Sequence, residues 1–253
     1  MIHANAVVSD RSIIHEDVEI GPFSIIHPNV HLESGVKIGS NCEIGIPSDL
    51  TKEDTLVVGE DSNIRSHSVI YSGTKVGKGF QSGHFCLIRE NTDIGDHCSV
   101  GSSSQLQGDC SIGNFTRFHS NVHIGKGSKI GNFVWIFPDV LITNDPNPPS
   151  EECEECIVGD YVVICSKVLI LPGIEIEREA FLSANSKITK DVPEGKVASG
   201  DPAKIICDAS ILKMKHDLGK KAYPWRFRYN SMYPPEIVSE WERELKKLQE
   251  KDG

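Results

Sequence analysis

An aliphatic side chain at every sixth position is the feature that most restricts how this chain can fold. The register runs through three stretches, 8–44, 58–142 and 158–188. Of its 28 positions, 26 carry Ile, Leu or Val, and the other two are Ser82 and Phe118. An α-helix repeats every ~3.6 residues, and an ordinary strand alternates only briefly before a turn, so neither explains this period. The sequence therefore predicts a repeat architecture.

The repeat unit fits a short strand followed by a tight corner. A small or β-branched residue stands two positions before each aliphatic one, as in Ser24 before Ile26, and alternate strand residues face the same side. Glycine directly follows the aliphatic position twelve times, where it relieves backbone crowding at the corner. Three units close a triangular coil of 18 residues, so the sequence predicts nine to ten stacked coils.

The repeat resembles that of the hexapeptide-repeat proteins, a large superfamily of acyltransferases that fold as a left-handed parallel β-helix. The resemblance implies an all-β fold and supplies the hand, because crossovers are otherwise right-handed and a period alone does not determine it. We expect a β-helix domain over residues 1–207, with loop insertions at 46–56 and 143–155. A short C-terminal α-helical tail is expected over 208–253.

The tail has no six-residue register and divides into three segments. "DASILKMKHDLGKK" predicts a short helix, and an apolar stripe through Ile237, Trp241 and Leu245 predicts a second helix near the C-terminus. The segment between them, 223–233, is dense in aromatic and basic residues. Its side chains either pack the tail onto the coils or hold a nucleobase and a diphosphate.

The second insertion points to a class of reaction. A solenoid has flat faces, so a binding site needs an inserted loop or a groove between subunits. "ITNDPNPPS", followed by "VGDYVVICSKVLILPGIEI", resembles the N-acetyltransferases that act on nucleotide-linked amino sugars, notably dTDP-3-amino-3,6-dideoxyhexoses. The resemblance implies transfer of an acetyl group from acetyl-CoA to a dTDP- or UDP-linked amino deoxysugar, for surface polysaccharides such as O-antigen.

The end of the repeat resembles the segment that closes the acetyl-CoA site in this superfamily. In "NSKITKDVPEGKVASGDPAKII", the residues from Val197 to Lys204 match the family pattern V-x-x-G-x-P-A-K. Several lysines gather there in an otherwise acidic chain, which favours phosphate binding over a merely solvated face. The residues implied in binding acetyl-CoA are Lys187, Lys190, Gly200, Pro202 and Lys204.

Acetyl transfer to an amine needs a proton acceptor and donors for the oxyanion. Histidine suits the first role because its ordinary pKa is about 6.5. His123 precedes the inward Ile124, so its side chain points outward, and we assign it as the general base, with His119 as a second candidate. Asn144 and Asp145, about one coil later, would position the amine or the imidazole. A sugar amine that arrives neutral would make the base dispensable.

Composition restricts the partners of the chain. A formal net charge of −10 argues against a surface for nucleic acid or for an anionic membrane. No apolar run is long enough for a signal peptide or a membrane span, so we expect a cytoplasmic protein.

The eight cysteines are expected to be reduced and structural. Five of them occupy the inward small-residue position of the repeat: Cys42, Cys86, Cys98, Cys110 and Cys156. The inward direction of Cys110 leaves no cysteine placed to form an acyl-enzyme. A lone CxxC pair, Cys153 with Cys156, lacks the two further ligands that zinc needs, so no metal is predicted.

Two other activities on the same solenoid remain as alternatives. A γ-type carbonic anhydrase needs three histidines around zinc, and His84, His119 and His123 resemble its layout, but their spacings of 35 and 4 depart from the family's 36 and 5. An O- or N-acyltransferase that uses acyl carrier protein and a UDP-sugar has its histidine in an H-D-C-x-[IV]-G context. Here Ser120 stands at the matching position.

We expect a homotrimer, because flat outer faces bury well against one another and the sites of this family lie between subunits. Its partners would be acetyl-CoA and the nucleotide-linked amino sugar, with no nucleic acid and no membrane.

Overall fold

A computed structural model describes residues 1–251 of the chain. The repeat winds into a left-handed parallel β-helix with three flat sheets, which we name the first, second and third face in the order in which the chain meets them. Successive strands on each face pair in parallel with equivalent residues of the next coil, as in Gln105 with His123. Ten strands on the first face and nine on the second agree with the predicted nine to ten coils.

The strands are short because each coil turns a corner every six residues. The first face contains Val7–Val8, Ile25–Ile26, Glu43–Ile46, Val69–Tyr71, Leu87–Ile88, Gln105–Leu106, His123–Ile124, Leu141–Ile142, Leu169–Ile170 and Lys187–Ile188. The second face contains Ile13–Ile14, Val30–Leu32, Leu56–Val58, Lys75–Val76, Asp93–Ile94, Ser111–Ile112, Lys129–Ile130, Ile157–Val158 and Glu175–Ile176. The third face contains Glu19–Ile20, Lys37–Ile38, Asn63–Ile64, Gln81–Ser82, Ser99–Val100, Arg117–Phe118, Trp135–Ile136, Val163–Ile164 and Phe181–Leu182, and ends in the antiparallel hairpin Lys196–Gly200 and Ala203–Asp208.

The interior is one continuous column of small and aliphatic side chains. The sixth-position residues are buried along the column, as Ile70 and Ile136 are, and so are the small residues two positions earlier, such as Ser68. The five cysteines expected inside are all buried, and within the described residues every cysteine is a free thiol. Burial raises the pKa of Cys110 to about 11, so this thiol stays protonated and inert at neutral pH.

From the corner at Phe23 onward, the regular corners of the coils turn at a left-handed residue three positions after the inward one. Eighteen corners carry a residue other than glycine there, such as Asn121 with φ of 59°. The glycine directly after the aliphatic residue has a different role, because a Cβ on Gly21 would lie 2.8 Å from the carbonyl carbon of Gly39 in the next coil. That glycine relieves crowding between successive coils, as expected, whereas the sharp change of direction comes from the residue two places later.

The corner between the second and third faces carries two ladders of side chains. His97, Phe115, Phe133 and Tyr161 stack with ring centroids 5.0, 5.1 and 5.0 Å apart, close to the ~4.8 Å spacing of neighbouring strands. Beside them, Oδ1 of each of Asp96, Asn114, Asn132 and Asp160 accepts a backbone N–H from the coil before. The ladders tie neighbouring coils at their outer edge.

The tail folds back over the third face instead of extending the solenoid. It contains the 3-10 turn Ala209–Ile211, a hairpin of Lys213–Met214 with Asp217–Lys221, a second 3-10 turn at Trp225–Phe227, and the helix Pro235–Lys251. The C-terminal helix confirms the expectation from its apolar stripe. The short helix expected from "DASILKMKHDLGKK" is wrong: the chain turns at residues 215–216 and forms a hairpin in which Met214 pairs with Asp217.

Aromatic packing holds the tail against the third face. Trp225, Tyr233 and Trp241 are buried against Val163, so the packing interpretation is confirmed for Trp225 and Tyr233 of the aromatic segment. Arg226, 2% exposed, is buried in the same interface. Its guanidinium donates to Glu179 at 2.7 Å and to Glu244 at 2.8 Å. Among the described residues, no helix is both long enough and apolar enough to cross a membrane.

Candidate functional site

His123 starts a strand of the first face and points away from the core, because its neighbour Ile124 takes the inward position. Its register partners on the adjoining coils are Gln105 and Leu141. The imidazole is half-buried on this face, and burial lowers the pKa of His123. A lowered pKa leaves the imidazole neutral at pH 7, in the form that can accept a proton.

Asn144 and Asp145 lie one coil further along, at the base of the second insertion. A Cβ on Gly125 would lie 3.1 Å from the Cβ of Asn144, so Asn144 packs over a residue two positions after His123. The Asp145 carboxylate accepts the Ser150 hydroxyl at 2.6 Å and the backbone N–H of Asn147 and of Ser150. These bonds, led by that from the Ser150 hydroxyl, lower the pKa of Asp145.

The structure therefore brings Asn144 close to the strand of His123 and uses Asp145 to fix the loop. Within residues 1–251 of a single chain, no hydrogen bond joins His123 to either residue. The role that the geometry supports for Asp145 is to hold the inserted loop at the edge of the first face.

Both insertions leave the solenoid at the corner between the first and second faces. In the first insertion, Lys52 reaches across three coils to the Asp109 carboxylate, 2.6 Å from its ammonium. Lys126 pairs with the same carboxylate at 3.1 Å. Partial burial favours a higher pKa for Asp109, but the two lysines outweigh it and lower that pKa. In the second, Glu155 pairs with Lys129 on the second face. The two loops border the same edge of the first face, above and below His123.

The residues implied in acetyl-CoA binding lie at the C-terminal end of the solenoid. Lys187 occupies the outward position of the first face in the same column as His123, three coils or about 14 Å away. Its ammonium lies 3.1 Å from Asp201, beside the exposed Pro202. The backbone N–H of Gly200 donates to the Ser186 hydroxyl at 3.1 Å, which fixes the start of the hairpin turn. Lys190 and Lys204 are exposed nearby.

His119 lies around the corner from His123, at the end of a third-face strand. Its ring stacks on Phe137 with centroids 4.7 Å apart and lies 6.3 Å from the ring of Trp135. Burial and the charge of Arg117 both lower the pKa of His119. The structure thus separates the two histidines: His123 lies on the outer side of the first face, and His119 lines a groove beside the tail.

Residues that the repeat pattern alone does not single out line that groove. Arg65, Arg117 and Trp135 occupy outward or corner positions of the third face, and Trp135 contacts Trp225 and Tyr229 of the tail. Their position immediately before or after an inward residue is readable from the register. What the register does not contain is the tail, which turns an open face into a groove.

Among residues 1–251, no group of three or more His, Cys, Asp or Glu side chains is placed to hold a metal ion within one chain.

Comparison with known proteins gives relatives with the same repeat. No family model matches the chain. The chain is 30% identical over 194 residues to Bifunctional protein GlmU of Listeria welshimeri, covering 73% of this chain and 38% of that protein. It is 27% identical over 214 residues to the protein of the same name from Clostridioides difficile, covering 84% and 44%. The chain thus spans about two fifths of the length of the curated relatives it matches.

A solved structure shows the same fold over almost the whole chain. LpxA of Bacteroides fragilis, described as a UDP-N-acetylglucosamine acyltransferase, superposes with a TM-score of 0.50 at 17% identity, covering 94% of this chain and 88% of that one. At this identity the likeness shows the fold alone. Together with the six-residue register and the curated relatives, it identifies the chain as a member of the hexapeptide-repeat, left-handed β-helix superfamily of acyltransferases.

Proposed function

We propose that the protein is an N-acetyltransferase that moves an acetyl group from acetyl-CoA to the amine of a dTDP- or UDP-linked amino deoxysugar. The observation that carries the proposal is the placement of His123. A half-buried, neutral imidazole stands on an outer face, the base of the proline-rich insertion packs one coil away, and the lysine-bearing closing segment lies further along the same column. This arrangement supplies a proton acceptor and an anion-binding end on one surface.

The reaction proceeds by direct attack. The sugar amine attacks the thioester carbonyl, the new C–N bond forms, and the C–S bond breaks to release the thiolate of coenzyme A. His123 accepts the proton that the amine loses, and the thiolate takes up a proton as it leaves. Lys187, Lys190 and Lys204, with the turn at Gly200 and Pro202, hold the phosphates of acetyl-CoA. With Cys110 buried and protonated, its thiol plays no part as a nucleophile.

The composition of the first face supports a homotrimer. Six of its ten strands present an outward aliphatic side chain: Val7, Ile25, Val69, Leu87, Leu141 and Leu169. The outward positions of the second face are mostly charged or polar, and the tail covers part of the third. Packing the first face against a neighbouring copy buries this aliphatic column and places His123 in a cleft between subunits, where water is reduced. We place the enzyme in the cytoplasm, where its two substrates are made.

The test is a turnover assay with defined acceptors. The purified protein is mixed with acetyl-CoA and a panel of dTDP- and UDP-linked amino sugars, and the free thiol of coenzyme A is measured together with the mass of the sugar product. We expect thiol release and a mass gain of one acetyl group with at least one amino sugar, and none with the matching hydroxyl sugar. Transfer from acyl carrier protein alone, or carbon dioxide hydration, would contradict the proposal. A monomer by light scattering at micromolar concentration would contradict the trimer and its cleft.

A further inference from the structure

A groove beside the tail differs in chemistry from the rest of this acidic molecule. One half is a cavity of about 280 Å³ whose lining is mainly aromatic, with His119, Trp135, Phe137, Trp225 and Tyr229 among its walls. The other half is a cavity of about 360 Å³ lined by serine hydroxyls, glycine backbone and the arginines Arg65 and Arg117. His119 and Trp135 belong to both linings, so the two halves adjoin. Each half is near the ~300 Å³ lower end of ligand pockets.

The charge of the groove is unusual for this chain. The net charge is −10, yet neither lining contains an aspartate or a glutamate. Within residues 1–251, neither Arg65 nor Arg117 has a carboxylate partner, and the buried Nε of Arg117 has no hydrogen-bond acceptor. Arg117 and Tyr233, whose buried hydroxyl also lacks a partner among these residues, line a separate cavity, so the buried Nε is no sign of a ligand in this groove. Two arginines without carboxylate partners still give this half a positive charge. The arginine half is therefore suited to an anion.

The aromatic half is suited to a planar base. Trp135 stands edge-on to Trp225 and to Tyr229, with centroids 6.0 and 5.8 Å apart, so the rings form a rigid wall. Tyr229 is 44% exposed and forms the outer rim. Aromatic rings that are accessible in this way can stack on the flat face of a nucleobase.

A neighbouring cavity has an aromatic wall too, but it is lined by carboxylates, so aromatic rings and unpaired arginines occur together only locally in the tail region. On the other side of Trp225, a cavity of about 180 Å³ is lined by Glu179, Glu194 and Asp208 around the paired Arg226. It has an aromatic wall too, but its carboxylates would repel a phosphate. The groove beside the tail is thus the one of the two that joins an aromatic wall to arginines without carboxylate partners.

From this juxtaposition we propose that the groove binds the nucleoside diphosphate part of the sugar substrate, with the base against Trp135 and Tyr229 and the diphosphate on Arg65 and Arg117. This deepens the proposed function and rests on it for the identity of the ligand as a sugar nucleotide. The groove ends at His119 and Ser120, and His123 begins the first face on the other side of that corner. The nucleotide site and the proposed base thus flank one corner of the solenoid.

The test separates binding from turnover. Titration calorimetry with dTDP and UDP, without acetyl-CoA, should give binding that weakens about 10- to 100-fold in Arg117→Gln, because a phosphate loses a charged donor. Tyr229→Ala should weaken it about tenfold through lost stacking. Arg178→Gln is the matched control, since that guanidinium also lies over a ring, Tyr161, but outside the groove, and its binding should match wild type.

Coenzyme A carries its own nucleoside diphosphate and is titrated in parallel. If coenzyme A loses affinity in Arg117→Gln while dTDP and UDP do not bind or do not change, the assignment to the sugar nucleotide is overturned. If amino sugars are acetylated but their KM is unchanged in both Arg117→Gln and Tyr229→Ala, the groove proposal fails and the proposed function stands. If nucleotide binding depends on Arg117 but no amino sugar is acetylated, the groove is a nucleotide site and the proposed function is wrong.

Discussion

Arg226 should decide whether the tail stays on the third face. Its guanidinium is 2% exposed, pairs with Glu179 and Glu244, and lies 4.6 Å from the centroid of the Tyr161 ring. Arg226→Ala removes both ion pairs and leaves two carboxylates at the interface. Breaking a buried pair costs about 3–5 kcal/mol, and the low end applies because Glu179 and Glu244 remain 22% and 40% exposed. We therefore expect a loss of about 3 kcal/mol in the free energy of tail docking.

Tryptophan fluorescence measures this change selectively. All three tryptophans of the chain, Trp135, Trp225 and Trp241, belong to the interface between tail and face. With an m-value of about 1.5 kcal/mol/M, a loss of about 3 kcal/mol lowers the urea midpoint of the fluorescence transition by about 2 M. The circular dichroism of the coils should change at higher urea, since repeats are stabilised mainly by their neighbours.

A matched variant controls for the loss of any arginine in this interface. Arg178 also lies 4.6 Å from the Tyr161 ring, but it is 40% exposed and its partners Asp160 and Glu179 are 3.8 and 3.4 Å away. An exposed pair is worth less than about 1 kcal/mol, so Arg178→Ala should shift the midpoint by less than about 0.7 M. Equal midpoints for wild type and Arg226→Ala would refute the reasoning, because the buried charges would then contribute nothing to docking.

Four further predictions concern the reaction. His123→Ala should lower kcat by about 10²–10⁴-fold with little change in the sugar KM, and retention of more than about half the activity at pH 7 would remove the base assignment. Burial lowers the pKa of His123 below its ordinary 6.5, so the imidazole stays neutral, and able to accept a proton, down to that lowered pKa. The acid limb of the kcat/KM profile should therefore lie below pH 6.5 in the wild type and flatten in His123→Ala. An acid limb above pH 7 in both proteins would indicate titration of the substrate amine instead. Asp145→Asn should raise the sugar KM more than it lowers kcat, because it weakens the bonds that hold the insertion through Ser150, and steady-state kinetics with an unchanged KM would contradict that role. Full activity, measured by thiol release, is expected after exhaustive chelation. Stoichiometric zinc at His119 and His123 would favour the γ-type carbonic anhydrase alternative.

The register predicts the solenoid well because each repeat position has one physical environment. Knowing that Ile124 is inward is enough to place His123 outward, and the cysteines follow by the same rule. The hairpin at 213–221 could not be read this way, because no period operates in the tail. There the antiparallel pairing of Lys213 with Lys221 and of Met214 with Asp217 replaces a weak helical pattern.

The candidate site is predictable only where it lies on the coils. The column from His123 to Lys187 follows from counting coils, and Asn144 follows from the place of the insertion. The groove does not, because it forms where Tyr229 meets Trp135, residues 94 positions apart that share no repeat relation. Which face the tail covers is decided by outward aromatic residues, and the register treats all outward positions alike.

The amide ladder at the corner between the second and third faces gives the stack of coils a polarity. In every rung the backbone donor belongs to one coil and the carboxamide or carboxylate acceptor to the coil that follows it in sequence, from Lys78 with Asp96 to Asn132 with Asp160. Each of these corner N–H groups depends for its protein acceptor on the coil that follows, and bonds to water when that coil is absent. The last of these rungs therefore depends on Asp160, so its loss should loosen the coil that contains Asn132 and not the coil that contains Asp160.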